Sequence, residues 1–171
     1  TGFEGMAFHQ DEAGGIHPYD ADYVRNGICR NNFVYNISTE GNEAYYEDGE
    51  YDLCAGGIYV DGGQNIEIYN NFIFNCDIGV EVATEHSPDD NELFKVSGIN
   101  VHDNVIADCT GWAGIVFGGY DKDLGFTEDC VFDYNTLIDN VYQIVVQRSQ
   151  NNRVCSNLIL GGEEGIHFEY L

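Results

Sequence analysis

The chain is written in short alternating runs. Gly57-Ile58-Tyr59-Val60-Asp61, Asn65-Ile66-Glu67-Ile68-Tyr69 and Gly98-Ile99-Asn100-Val101-His102 each place an apolar residue at every second position. Successive side chains of a strand point to opposite faces, so this spacing predicts strands with one face in a core. No stretch of helical length keeps an apolar period of 3.6 residues, so no amphipathic helix is predicted. The runs are short and are punctuated by Gly and Asn, which tolerate the left-handed backbone of tight turns.

Two elements recur in alternation. The first reads Gly-(Ile/Val)-x-apolar, at Gly57-Ile58-Tyr59-Val60, Gly79-Val80-Glu81-Val82, Gly114-Ile115-Val116-Phe117 and Gly165-Ile166-His167-Phe168. Gln143-Ile144-Val145-Val146 replaces its Gly, and Gly15-Ile16-His17-Pro18 is a poorer copy. The second element reads Asn-x-apolar-x-(Asn/Asp) three residues after an apolar position. It appears at Asn32…Asn36, Asn71…Asn75, Asn104…Asp108 and Asn135…Asp139, and ends with Gly in Asn157…Gly161.

The shortest repeat is 22 residues, from Ile58 to Val80, from Ile144 to Ile166 and from Asn135 to Asn157. A unit of this length, with two or three short strands and an Asn at a fixed turn, is one coil of a solenoid. The sequence therefore predicts an all-β fold, a right-handed parallel β-helix of about five to six coils, with Ile58, Val80, Ile115, Ile144 and Ile166 in one inward stack. A Greek-key sandwich gives no reason for an Asn register. The ladder of Asn32, Asn71, Asn104, Asn135 and Asn157 is expected to supply left-handed turns and hydrogen bonds between coils.

Composition agrees with this picture. Ile plus Val total 29 against 15 for Ala plus Leu, which favours strands over helices. At 171 residues the chain bounds a single domain, 1–171, as a fragment of a longer chain or a stacking subunit. It opens at Thr1 with no leader-like segment, so a leader was removed or this is a piece of a longer protein. No apolar run is long enough to span a bilayer as a helix. The net charge of −24 argues against nucleic acid or an anionic membrane as partner and favours divalent cations.

The runs Gly57-Ile58-Tyr59-Val60-Asp61-Gly62-Gly63, Gly79 to His86 and Phe117-Gly118-Gly119-Tyr120-Asp121, set in this repeat, resemble the right-handed parallel β-helix proteins of the pectate-lyase-like superfamily. The resemblance covers roughly Gly15 to Leu171. It implies an extracellular protein that binds or cleaves a polysaccharide, as a polysaccharide lyase or glycoside hydrolase if it is an enzyme. Lyases of that group use Arg or Lys, and the six cations here form no obvious pair on the expected groove. A neutral glycan and a carboxylate mechanism therefore fit better.

Three insertions interrupt the repeat: Ser38–Ala55, Thr84–Val96 and Gly119–Cys130. The last two follow equivalent strands of adjacent coils and are expected to wall a lateral groove. Outward rows Tyr59–Glu81–Val116–Val145–His167 and Asp61–Ala83–Gly118–Gln147–Glu169 would form its floor, shallow at Ala83 and Gly118 beside Asp61. Neighbouring strands are ~4.8 Å apart, which puts the Asp61 and Glu81 carboxylates roughly 5–9 Å apart, the separation glycosidases use. Asp61, Glu81 and His86 are the candidate catalytic residues. Glu85 and Asp121 are the candidate metal ligands, with Ca²⁺ as the cofactor. The acidic runs Glu47–Asp52 and Asp89–Glu92 are further candidates to clasp Ca²⁺, and a solvated acidic face is the competing reading of all these carboxylates.

Six cysteines suggest disulfides in a secreted domain, with 15 possible pairings, while their register suggests a buried ladder of free thiols. Cys76 and Cys109 share a coil position, and Cys29 and Cys130 are inward. Cys76–Cys109 is the pair best placed to bridge if any does. The alternative function is structural. The apolar, alternating Ile166-His167-Phe168-Glu169-Tyr170-Leu171 would template another chain, giving an extracellular fibre in which the protein's partner is itself, stacked head to tail.

Overall fold

The computed structural model describes residues 6–8, 24–84, 95–119 and 126–169. It is a right-handed parallel β-helix with four sheets along its axis. Sheet A comprises Met6–Phe8, Gly56–Asp61, Ile78–Ala83, Ala113–Phe117, Tyr142–Val146 and Glu164–Phe168. Sheet B is short, with Val96–Ser97, Thr127–Glu128 and Ser149–Gln150. Sheet C holds Ile28–Arg30, Glu67–Tyr69, Asn100–His102, Val131–Asp133 and Arg153–Cys155. Sheet D holds Phe33–Ile37, Phe72–Cys76, Val105–Ala107, Thr136–Ile138 and Leu158–Leu160.

The expected inward stack is present. Ile58 pairs with Val80, Val80 with Ile115, Ile115 with Ile144 and Ile144 with Ile166. The first four are fully buried, in one core with Ile68, Ile73, Val101, Ile106, Phe132 and Leu137. The Gly of the first element is also inward. A Cβ on Gly79 would lie 2.4 Å from the Gly114 carbonyl oxygen and 2.4 Å from Ile106 Cγ2, so only hydrogen fits there.

Each coil turns three corners on left-handed residues spaced five apart. The first row is Asn26, Asn65, Gly98, Asp129 and Asn151; the second is Asn31, Asn70, Asp103, Tyr134 and Ser156; the third is Asn36, Asn75, Asp108, Asp139 and Gly161. This corrects one expectation. The ladder Asn is not the left-handed residue; the residue just before it is. The ladder residue instead turns its amide inward. Asn104 Oδ1 accepts from Asn71 N at 3.0 Å and from Asn71 Nδ2 at 2.9 Å, and Asn104 Nδ2 donates to Ile68 O at 2.9 Å. The pattern repeats along the axis, across 39, 33, 31 and finally 22 residues of chain per coil.

The first insertion is a compact side structure. Asn42 caps the 3₁₀ turn Glu43–Tyr45, and Tyr46–Glu47 pairs antiparallel with Glu50–Tyr51. Asp48 and Gly49 both have positive φ, as a tight hairpin turn requires. The buried Asp77 carboxylate pins the insertion to the solenoid, accepting from Thr39 N at 2.8 Å, Thr39 Oγ1 at 3.1 Å and Ala55 N at 3.1 Å.

Candidate functional site

The outward rows of sheet A have the expected register but not the expected exposure. Tyr59 pairs with Glu81, Glu81 with Val116, Val116 with Val145 and Val145 with His167. Val116 and Val145 are buried in a second apolar cluster with Ile78 and Ala113, against which Trp112 and Tyr142 pack. Asp61 is only 3% exposed, and Ala83 and Gln147 beside it are buried too. The floor is thus a covered surface and not an open shallow groove.

Asp61 and Glu81 are diagonal neighbours in the ladder, as expected. Glu81 Oε2 lies 3.8 Å from where a Gly56 Cβ would be. Glu85, His86 and Asp121, and the run Asp89–Glu92, lie outside the described residues.

What the fold does gather is cationic and aromatic. Lys95 Nζ and Arg148 Cζ each lie 5.9 Å from the centroid of the Phe126 ring. Lys95 stands at the end of the second insertion and Phe126 in the third. Arg148 is held by an antiparallel bridge to Gly119, with N···O distances of 3.0 and 3.2 Å. Lys95 also pairs with Glu128 at 3.6 Å. Two of six cations therefore meet at one ring, beside Gly118 and Gln147 of the floor. Spacing carries the cue: Lys95, Phe126 and Arg148 each stand nine residues before a ladder Asn, so they share one coil position just ahead of sheet B.

A second polar group closes the C-terminal side of sheet A. His167 Nδ1 lies 2.8 Å from Glu164 Oε2 and its Nε2 lies 3.3 Å from Glu169 Oε1. Its ring stacks on Tyr142 at 4.4 Å. Gln147 Nε2 donates to Glu169 Oε2 at 3.2 Å, tying this group to the floor. Simple alternation would put Glu164 on the opposite face from His167. The alternation breaks at Gly165, and both side chains face outward.

Among the described residues, no three His, Cys, Asp or Glu side chains converge where a metal ion would sit. The acidic run Glu47–Asp52 is a hairpin and makes no such cluster. The cysteines are free, and Cys29, Cys76, Cys109 and Cys130 are buried. Burial pushes the Cys130 thiol up to about 12 and raises Cys29 as well. Cys76 and Cys109 share a hydrogen bond, which lowers Cys76 and raises Cys109.

The chain is similar to an uncharacterized protein, YwoF, of Bacillus subtilis (strain 168), at 39% identity over 149 residues. The match covers 83% of this chain and 30% of that protein, so this chain spans under a third of its relative's length. No solved structure matches. A family model described as "Periplasmic copper-binding protein (NosD)" matches residues 13–170. Nearly the whole solenoid falls within that match, and the chain belongs to the NosD family of β-helix proteins.

Proposed function

We propose that this chain is an extracytoplasmic β-helix domain that binds a polysaccharide at the roots of its two walls, where Lys95, Phe126 and Arg148 meet the floor of sheet A. The observation that carries this reading is the convergence of two cations on one ring in a chain of net charge −24. The ring offers a face for a sugar, and the cations offer charge to a sugar carboxylate. This shifts the expected ligand from a neutral glycan toward a uronate-containing one. The burial of Asp61, 3% exposed, favours recognition over cleavage by an Asp61–Glu81 pair, which needs both carboxylates open to substrate. Periplasmic location, as the family description has it, fits a glycan ligand.

The test is a binding screen with acidic and neutral glycans, by affinity electrophoresis, on wild type, Lys95→Ala and Arg148→Ala. Retardation by an acidic glycan, weakened in both variants, supports the reading. Equal mobility of wild type with and without every acidic glycan rejects it. Turnover of a bound glycan that disappears in Asp61→Asn and Glu81→Gln would instead restore the catalytic pair and the enzyme.

Stacking into a fibre is favoured by one observation. The C-terminal end holds an apolar cavity of about 290 Å³ lined by Phe117, Val146, Val154, Ile166 and Phe168. Ile166 is 37% exposed and Phe168 is 58% exposed. Phe168→Asp should abolish any filament seen by negative stain while leaving the fold intact; a wild type that stays monomeric at high concentration removes this reading.

Copper binding, taken from the family description, has its own support. Cu(I) selects thiolates, while Cu(II) prefers nitrogen and oxygen donors in a tetragonal plane. Among the described residues the soft donors in mutual contact are Cys76 and Cys109, which fit Cu(I).

A further inference from the structure

One ladder of the core changes chemistry along the axis. Ile37 pairs with Cys76 at the end of sheet D, and the same coil position is taken by Cys109, Asn140 and Gly162 on later coils. Cys76 and Cys109 occupy equivalent surroundings. Each sulfur lies 3.2 Å from the Cβ position left empty by an inward glycine, Gly57 for Cys76 and Gly79 for Cys109. Each lies close to the carbonyl oxygen two residues earlier, at 3.5 Å from Phe74 O and 3.6 Å from Ala107 O. The two sulfurs stand one ladder step apart across the coil boundary.

The dimensions suit a single soft ion. Neighbouring coils are ~4.8 Å apart. That is close to twice a metal–sulfur bond of about 2.3 Å. An ion between the two sulfurs completes both bonds with side-chain adjustment alone. The ladder supplies no third sulfur, because Ile37 lies on one side and Asn140 on the other. Asn140 is committed elsewhere: its Oδ1 accepts from Cys109 N at 2.9 Å and its Nδ2 donates to Gln143 Oε1 at 2.7 Å. The remaining buried thiols stand apart, Cys29 beside Asn32 and Cys130 beside Glu128 O.

There is also a way in. A polar cavity of about 190 Å³ reaches Cys76 and is lined by Asn36, Ser38, Glu40, Asn75 and Asp77, with Thr110 opposite. Its mouth lies between the first insertion and the turn after Cys109. A cation would be drawn to the carboxylates of Glu40 and Asp77 before it met sulfur.

We propose that Cys76 and Cys109 form a two-thiolate Cu(I) site inside the solenoid, loaded through the cavity beside Asp77. The proposal rests on the copper-binding reading above and gives it an address. On loading, both thiol protons leave to solvent and Cu(I) makes two bonds to sulfur. No electron is transferred, and the neutral thiol pair becomes a complex carrying one net negative charge. Because protons are released, loading strengthens as pH rises.

The experiment uses the reduced chain under anaerobic conditions, with a coloured Cu(I)–bicinchoninate complex as copper donor. The wild type should withdraw one Cu(I) per chain, and X-ray absorption should show two sulfurs on copper. Cys76→Ser and Cys109→Ser should each lose that copper, whereas Cys29→Ser and Cys130→Ser should keep it. A wild type that withdraws no copper overturns the site together with the copper-binding reading. Full copper uptake in both ladder variants overturns the site and leaves that reading standing. Should a ladder variant fail to fold by circular dichroism, the absorption spectrum of the wild type decides alone: a nitrogen or oxygen shell rejects the site. A thiol count of four in the isolated protein, returning to six with reductant, shows a Cys76–Cys109 bridge and also rejects it.

Discussion

Two ladders run the length of the same core and obey opposite rules. In the first, Asn32, Asn71, Asn104, Asn135 and Asn157 repeat one residue, and each amide serves the coil before it in the same way. In the second, the series Ile37, Cys76, Cys109, Asn140, Gly162 repeats only its cysteine. Variation there is compensated in pairs. Where the inward position is Gly57, Gly79 or Gly114, its neighbour is Cys76, Cys109 or Asn140; where it is Gln143, its neighbour is Gly162, and Asn140 also hydrogen-bonds Gln143 at 2.7 Å. Gln143 Nε2 continues to the carbonyls of Leu160 and Gly161, both at 2.9 Å. A uniform ladder defines the coil, because any interior change strands donors on two coils. A varied ladder is where the fold tolerates other chemistry.

The contrast can be broken most violently at the glycines. Gly79→Ala forces a Cβ into backbone and Ile106, and should cost about 3 kcal/mol or more by denaturant unfolding. Gly165→Ala, at the same register on the last coil, meets only Ile159 Cγ2 at 3.9 Å and should be near neutral. Equal losses at the two sites would mean that backbone conformation, not packing, demands glycine. Next comes Asn104→Ala, which strands buried groups on the two neighbouring coils and should cost about 2–3 kcal/mol, with Asn157→Ala closer to about 1. A loss below about 0.5 kcal/mol at Asn104 would reduce the ladder to a surface turn. Pairwise compensation predicts a coupling of roughly 1 kcal/mol between Asn140→Ala and Gln143→Ala in a double-mutant cycle. Strict additivity would show that the two ladders do not differ in kind.

The smallest effect concerns a thiol outside both ladders. The folded Cys130 thiol titrates at about 12, and the ordinary thiol value is 9.0. Between these values the unfolded chain has released its proton and the folded chain has not. The unfolded state then binds fewer protons, so stability falls as pH rises through this window and is intact below it. Thermal melts from pH 8 to 11 should decline less steeply in Cys130→Ala than in the wild type.

The ladders were legible in the sequence because each is a register, and register is set by spacing. The inward stack from Ile58 to Ile166 follows from the same arithmetic. Less could be read of the corners. Tyr134 and Ser156 hold left-handed backbone, with φ of 55° and 56°, and neither type signals it. Their position, not their chemistry, imposes it. Exposure was the larger miss. Alternation tells which face of a strand a side chain takes, and says nothing of what covers that face, so Val116 and Val145 read as solvent-facing. The meeting of Lys95 and Arg148 at Phe126 was legible but unread: the three stand nine residues before Asn104, Asn157 and Asn135, one shared register of the repeat.

The unequal coil lengths also order events in time. Pairing Asn135 with Asn157 closes 22 residues, whereas pairing Asn32 with Asn71 closes 39. The longer closure costs only about 0.5 kcal/mol more in chain entropy. An insertion large enough to build a wall is therefore thermodynamically cheap, and what it changes is the search. The C-terminal coils close the shortest loops and form the natural nucleus, with later coils zipping toward the N-terminus on a ready-made edge. Substitutions in the Asn135–Asn157 step should then slow folding, while those in the Asn32–Asn71 step should mainly hasten unfolding. The solenoid is grown from its most regular end, and the coils that carry its most elaborate insertions are added last.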